Sequence, residues 1–298
     1  MTMTSGDRTR TTLTRRGLLG LAAAATATGL AGIGGAAPAA AAPASDLWPR
    51  WLPHDPESRL TVDHDAWDAI LASYARPDGA GIIRVAYAAV TPQDRDALRR
   101  YLDLLASQPV AQLNREEQFA YWVNLYNALT VETILAHYPV DSIRDIDISP
   151  GFFSSGPWGA KLIEVEATAV SLDDVEHRIL RPIWNQDPLI HYAVNCAAIG
   201  CPNLQTRAFR AATTRQTLDA AARAFVNHPR AASFPNGGLV VSSIYRWFRE
   251  DFGDSQAGVI AHLRDYAAPA LSARLAGVTD IFDHRYDWSL NGASPSTG

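Results

Sequence analysis

The sequence predicts an α+β fold, in which a helical body with a buried central helix packs on a small antiparallel sheet. Three observations support this. Several segments have apolar residues at helical spacing, residues 115–139 are apolar around most of the helix circumference, and short apolar runs lie between Gly- and Pro-rich turns. A hydrophobic content of 47% with 19% charged residues is ordinary for a packed globular protein.

The elements follow in chain order. We predict helices over 62–75, 91–107, 115–138, 171–182, 213–229, 242–253 and 257–275. We predict strands over 81–90, 160–167, 189–196 and 238–242, with a final extended piece over 286–291. Thr91 and Ser171 are expected helix caps, and Pro139 ends the central helix.

The N-terminal region has the pattern of an export signal. Arg15 and Arg16 precede an Ala-, Gly- and Leu-rich run that ends in several Ala-x-Ala sites. This pattern predicts a twin-arginine-type signal over 1–44 and a periplasmic or secreted protein. An uncleaved membrane anchor is the alternative, but the run is only weakly hydrophobic. No later segment offers about 18 uninterrupted apolar residues, so we expect no membrane partner once the signal is removed.

Beyond the signal we predict an irregular lead-in over 45–60 and a single domain over 61–298. The formal net charge is −5, and the signal is itself basic, so nucleic acid is not an expected partner. The chain has no Gly-rich phosphate loop, no GxSxG and no dinucleotide-binding fingerprint, and we expect no cofactor.

Both cysteines lie in the stretch HYAVNCAAIGCPNL, residues 191–204. If 189–196 is a strand, alternation places Cys196 with the apolar set and His191 on the opposite face. Cys196 is then a core residue, while Cys201 lies in a loop beyond the strand, where working side chains are usually presented. Cys201 and His191 could form a thiolate–imidazolium pair. A Cys196–Cys201 disulfide is the alternative.

The predicted central helix carries a polar stripe. Glu117, Asn124 and Asn127 are separated by 7 and 3 positions, which brings them to one side of the helix. Glu117 could orient a catalytic histidine, as the acid of a triad does. Alternatively, Glu117 caps its own helix and the asparagines bind neighbouring backbone. Trp247 fits either a core position or a ligand platform.

A metal site is disfavoured by the sequence. Glu176 and His177 are adjacent and point in different directions on a helix, and no HExxH or CxxC is present. A site built on His177 and His191 is therefore not expected, and we predict no metal.

Five stretches together resemble the family known as domain of unknown function 547. They are EEQFAYWVNLYNALT (116–130), SLDDVEHRILR (171–181), HYAVNCAAIGCPNL (191–204), SSIYRWFREDF (242–252) and YDWSLN (286–291). The family is similar to papain-like and transglutaminase-like thiol folds. That resemblance implies a site made of Glu117, His191 and Cys201. One departure matters, because such enzymes usually carry the cysteine at the start of the central helix, and this helix has none.

The resulting prediction is an exported thiol-dependent hydrolase or acyltransferase that acts on amide or acyl bonds. Cys201 is the expected nucleophile, His191 the base and Glu117 its orienting group. The predicted substrate-binding residues are Asn195, Asn124, Asn127 and Trp247, for a small-molecule or peptide-like substrate. The alternative is a non-catalytic exported binding module that keeps the cleft. The reactivity of the thiol separates the two.

Overall fold

The computed structural model describes residues 43–151 and 155–293, and it confirms the α+β class. The predicted signal over 1–44 falls, apart from its last two residues, outside the described part. The α-helices are α1 Asp65–Tyr74, α2 Pro92–Ala106, α3 Arg115–His137, α4 Arg181–Ile183, α5 Thr214–Val226, α6 Ile244–Trp247, α7 Gln256–Tyr266 and α8 Pro269–Leu275. The strands are β1 Ala75–Pro77, β2 Ile83–Val85, β3 Ile163–Val165, β4 Thr168–Val170, β5 Ala232–Ser233, β6 Val240–Ser242 and β7 Asp283–Arg285.

Helix α3 is the centre of the core, as predicted. The Asn114 side chain accepts a hydrogen bond from the backbone N–H of Glu117 at 2.8 Å and so caps the helix start. Trp122, Tyr126 and their neighbours are buried around nearly the whole circumference, because the helix has no polar face to turn to solvent. Residues on either side of the helix must therefore pack onto it.

The strands form three small sheets rather than one antiparallel sheet. Strands β1 and β2 pair antiparallel, as do β3 and β4. The third sheet has the order β5–β6–β7, in which β5 and β6 are antiparallel but β6 and β7 are parallel. The predicted strands over 81–90 and 160–167 shrink to β2 and β3, and β5 is too short to leave a sequence pattern.

The predicted strand over 189–196 is wrong. Residues Pro188–Tyr192 form a 3₁₀ helix, which begins where the Asp187 side chain accepts a hydrogen bond from the Leu189 N–H at 2.9 Å. Proline at the first helical position suits that start. The alternation that assigned His191 and Cys196 to opposite faces therefore does not apply.

Three predicted helices are also divided or altered. The segment over 171–182 is a π-helix, Asp174–Leu180, that continues into α4. The segment over 242–253 splits into α6 and a 3₁₀ turn, Arg249–Phe252. The break in 257–275 falls just before Pro269, which starts α8. Within the described ranges, no helix has the length and apolar character needed to cross a membrane.

Candidate thiol site

The two cysteines are neighbours in space. Cys196 Sγ and Cys201 Sγ lie 2.7 Å apart, and both are free thiols. The backbone N–H of Cys196 donates to Cys201 Sγ at 3.2 Å. The Tyr286 hydroxyl donates to Cys201 Sγ at 3.1 Å and lies 3.1 Å from Cys196 Sγ. Cys201 is thus the sulfur on which the donors of this site converge.

The exposure of the two cysteines is the reverse of the prediction. Cys201 is buried, with 6% of its surface exposed, whereas Cys196 is half-buried. The prediction failed because it depended on the strand over 189–196. In the observed loop, Cys201 is instead buried against Cys196 and Tyr286.

The two thiols differ in acidity because one donates to the other. Burial raises the pKa of Cys201, but hydrogen bonds from Cys196 and Tyr286 outweigh it, and the pKa falls to about 7. The hydrogen bond with Cys201 raises the pKa of Cys196 well above its ordinary value, and burial adds to this rise. The two sulfurs therefore titrate as one pair, in which Cys201 loses its proton first, near neutral pH.

Asn195 fixes the shape of the cysteine loop. Its side-chain N–H donates to the Pro202 carbonyl at 2.7 Å, and its side-chain oxygen accepts from the Ala197 N–H at 2.9 Å. These bonds tie the two ends of the loop together, so the sulfurs are brought into contact. Ala197 has a φ of 58°, a left-handed conformation that non-glycine residues adopt infrequently.

Helix α3 anchors that loop through Asn127. The Asn127 side chain donates to the Ala193 carbonyl and accepts from the Asn195 N–H, each at 2.9 Å. Asn124, one turn earlier, makes the same two-bond contact with the backbone of Phe209, at 2.8 and 2.9 Å. All three predicted substrate-binding asparagines thus have their side chains bonded to protein backbone. This arrangement matches the alternative interpretation of the stripe.

Gly200 allows the C-terminal segment to reach the sulfurs. A Cβ at this position would lie 2.8 Å from the backbone nitrogen of Asp287 and 2.8 Å from the Tyr286 ring. The Gly200 N–H donates to the Asp287 carbonyl at 2.8 Å. Only glycine permits so close an approach, and it is this approach that brings the Tyr286 hydroxyl to the sulfurs.

His191 belongs to a different cluster, which we call the charge cluster: Arg181, Asp251, His191 and Glu176. His191 Nε2 lies 2.7 Å from Asp251 Oδ2, and its ring stacks on Phe248 at 4.2 Å between centroids. Burial lowers the pKa of His191, against the opposing effect of Asp251. Within the described residues, no hydrogen bond joins His191 to Cys201.

Arg181 and Asp251 form the centre of the charge cluster. Arg181 Nε and Nη2 donate to the two carboxylate oxygens of Asp251 at 2.7 and 3.0 Å, and Arg181 is 1% exposed. Burial would raise the pKa of Asp251, but hydrogen bonds from His191 and Arg181 more than offset it and hold the pKa low. The pair is therefore a buried, fully hydrogen-bonded ion pair.

Glu176 lies on the π-helix, a type of turn that is often found at functional sites. It accepts from the Tyr126 hydroxyl at 3.1 Å and lies 3.8 Å from His191 Nδ1. Burial raises its pKa to about 8 even though Arg181 opposes the rise, and the Cys201 charge adds to it. The negative charge of the Cys201 thiolate thus raises the pKa of Glu176 in the charge cluster.

Glu117 does not contact His191. It is buried at the start of α3, where its Oε1 accepts from the backbone N–H of Val62 at 2.7 Å. This bond attaches the segment before α1 to the central helix. The carboxylates beside His191 are Asp251 and Glu176 instead.

Trp247 is half-buried at the edge of the thiol site. Its ring centroid lies 4.8 Å from that of Tyr286 and 5.6 Å from that of Trp288. Trp158 extends this group through Trp288 at 5.7 Å. We call these four residues the aromatic wall. Since all four are only partly buried, they can offer ring faces to a ligand beside the sulfurs.

The sequence interpretation missed Tyr286, Asp251 and Arg181. Tyr286 belongs to YDWSLN and Asp251 to SSIYRWFREDF, both noted as motifs but without a role for these side chains. A buried arginine offers no signal in a single sequence. Across residues 43–151 and 155–293, no three His, Cys, Asp or Glu side chains are grouped as metal ligands.

One family model matches the chain, and it covers the segment that holds α3, the π-helix and both cysteines. No curated protein and no solved structure matches this chain. The papain-like relationship implied by the motifs therefore stays a prediction. The match spans residues 110–226, and its description is "Protein of unknown function, DUF547". Residues 110–226 of this chain thus match the model of the DUF547 family.

Proposed function

We propose that the protein is a thiol-dependent hydrolase or acyltransferase, with Cys201 as the nucleophile. One observation carries the proposal: the N–H of Cys196 and the O–H of Tyr286 donate to Cys201 Sγ, which also lies 2.7 Å from the Cys196 sulfur. A buried sulfur is stabilised as a thiolate by such hydrogen bonds, and the positive charge of Arg230 also lowers the pKa of Cys201. A thiolate is the reactive form in acyl transfer.

The chemistry needs a proton donor for the leaving group. The Cys201 thiolate attacks the acyl carbon, and the bond to the leaving amine or alkoxide breaks to give a thioester. The thiol of Cys196, held at the attacking sulfur, can supply the proton. Water then hydrolyses the thioester, or an amine or alcohol accepts the acyl group. In this scheme Cys196, rather than the predicted base His191, transfers the proton.

The other predicted residues act at a distance from the reacting sulfur. His191 holds Asp251 in the charge cluster, and Glu117 holds the start of the domain. Asn195 and Asn127 maintain the loop, so they set the position of Cys201. Among the predicted substrate-binding residues, Trp247 has a partly exposed ring that contacts Tyr286, the residue bonded to the sulfurs. The ring suits a flat or peptide-like acyl group. We also propose that the signal over 1–44 directs the protein to export.

A simple acyl donor tests this function. With p-nitrophenyl acetate, we expect a burst of nitrophenolate and an acetyl thioester on Cys201, identified by peptide mass spectrometry. Cys201→Ser should lose the burst and the thioester, whereas Cys196→Ser, the matched control, should form the thioester but turn it over more slowly. Equal acetylation of both cysteines, at the rate of a free thiol, would falsify the proposal.

A non-catalytic binding module is the second candidate, and a specific observation favours it. Glu117, Asn124 and Asn127 are all engaged by backbone groups, so the polar stripe of α3 is structural. A binding module would use the aromatic wall with an unreactive thiol pair. Absence of thioester on Cys201, together with quenching of tryptophan fluorescence by a peptide library and its loss in Trp247→Ala, would support this candidate.

A further inference from the structure

We infer that Cys196 and Cys201 form a redox-active pair that undergoes thiol–disulfide exchange with low-molecular-weight disulfides. This activity uses the same Cys201 thiolate as the proposed function but needs no acyl substrate. The two proposals can therefore fail independently.

The first support is the contact between the sulfurs. Their separation of 2.7 Å means that no segment of chain must move far for one sulfur to reach the other. The Asn195 side chain ties the ends of the loop, and the Gly200 N–H fixes it to the C-terminal segment. The chain holds two cysteines in all, so an intramolecular bridge can have only this pairing.

The second support is the division of roles between the two thiols. Exchange needs an attacking thiolate and a neighbouring thiol that resolves the mixed disulfide. Cys201 accepts hydrogen bonds from the Cys196 N–H and the Tyr286 hydroxyl, and the Cys196 thiol lies against it at 2.7 Å. Cys196 is also half-buried rather than buried, so the pair reaches the surface beside the aromatic wall.

The reaction balances in two steps. The Cys201 thiolate attacks one sulfur of the disulfide RSSR, the S–S bond breaks, and the departing thiolate takes the Cys196 proton to become RSH. The resulting Cys196 thiolate attacks Cys201 Sγ, breaks the mixed disulfide and releases the second thiolate, which is protonated from water. Two protein thiols are oxidised by two electrons, and RSSR is reduced to two thiols.

Glutathione redox buffers provide the test. The full chain is equilibrated in graded ratios of reduced to oxidised glutathione, quenched in acid, and its free thiols are counted by maleimide labelling and mass spectrometry. We expect both thiols to disappear together, with a mass lower by two hydrogens, and to return when the ratio is reversed. Two free thiols per chain throughout the series, or bridges between chains, would overturn the inference.

Single variants test the order of events. Cys196→Ser should trap glutathione on Cys201, because the resolving thiol is gone. Cys201→Ser should react with oxidised glutathione about tenfold more slowly at pH 7, because an ordinary thiol is mostly protonated there. A faster reaction at Cys196 than at Cys201 would contradict the assigned attacking sulfur. Cys196→Ala, which also lacks the thiol, repeats the trapping test in case the serine variant does not fold.

The acyl-transfer function and the disulfide-exchange activity are distinguished by two products, a thioester on Cys201 and a reversible Cys196–Cys201 disulfide. A thioester on Cys201 without reversible disulfide formation removes the exchange activity and leaves the acyl-transfer function. Reversible disulfide formation without a thioester does the opposite.

Discussion

Two buried polar regions, the charge cluster and the cysteine pair, follow opposite principles. In the charge cluster, Arg181 carries a positive charge that is matched by Asp251, and both side chains are almost fully buried. In the cysteine pair, two acidic thiols lie 2.7 Å apart, and the groups that donate to Cys201 are a backbone N–H and the neutral Tyr286 hydroxyl. In the charge cluster, removing Arg181 or Asp251 leaves the other buried charge without its main partner. The cysteine pair can lose a proton without leaving a buried opposite charge unpaired. A reacting group needs this freedom.

The largest expected effect comes from breaking the charge cluster. Asp251→Ala leaves Arg181 buried without its bidentate partner, so the free energy of unfolding should fall by about 3–5 kcal/mol. Urea unfolding followed by circular dichroism measures this change. Glu250→Gln is the control, since Glu250 also pairs with Arg181 but its side chain is 47% exposed, and it should cost under about 1 kcal/mol. If both substitutions lowered the free energy of unfolding equally, the buried Arg181–Asp251 pair would not be the main source of stability in the cluster.

The anchoring asparagines allow a matched comparison. Asn127→Ala leaves the Ala193 carbonyl and the Asn195 N–H without their partners, and we expect a loss of about 2–3 kcal/mol. It should also raise the pH midpoint of Cys201 alkylation by iodoacetamide, because the loop loses its anchor. Asn124→Ala removes two equivalent bonds at Phe209 and should lose similar stability with an unchanged midpoint. If both variants shifted the alkylation midpoint equally, the acidity of Cys201 would not depend on the Asn127 anchor.

Glu176 predicts a pH dependence. Its folded-state pKa of about 8 is above the ordinary value of 4.5, so the folded protein binds more protons between these values. The contribution of Glu176 to stability is therefore full below pH 4.5 and is lost as pH rises toward 8, with a limiting slope of about 1.4 kcal/mol per pH unit. Relative to Glu176→Gln, the wild type should lose about 1–2 kcal/mol between pH 6 and pH 7.5. Parallel stability curves for the two proteins would show that Glu176 does not titrate there.

The smallest change in stability is expected at Tyr286. Tyr286→Phe removes one donor from Cys201 and should cost about 1 kcal/mol or less. The alkylation midpoint of Cys201 should nevertheless rise from about 7 toward the ordinary value, because a stabilising bond to the thiolate is gone. Tyr266→Phe is the control, since that hydroxyl bonds to Asp219. A midpoint that stays near 7 would assign the acidity of Cys201 to Cys196 alone.

The helices with local signals were predictable from the sequence. Helix α2 begins after Thr91, whose hydroxyl accepts from the Asp94 N–H at 3.1 Å, as its sequence indicates. Helix α3 is predicted by its length and apolar character alone. In both cases the deciding interactions lie within a few residues of one another, so a single sequence contains them.

The candidate site is built from residues that are far apart in the sequence, and a single sequence does not predict such contacts. The run LIHYAVNC has strand composition, but Asn127, more than 60 residues earlier, binds its backbone and overrides that preference. Arg181 and Asp251 are 70 positions apart, and Tyr286 is 85 positions from Cys201. The pairing of the cysteines does have a local signal, since two thiols five positions apart can meet within one loop.

The distance between Tyr286 and Cys201 also has a consequence for biosynthesis. The ribosome adds Tyr286 85 residues after Cys201, which at ordinary elongation rates takes roughly 4 to 17 s. Throughout that interval the nascent chain carries both thiols without the hydroxyl that later binds them. The close approach that Gly200 permits cannot form until Tyr286 has been added. The cysteines are therefore synthesised before the tyrosine whose hydrogen bond lowers the pKa of Cys201.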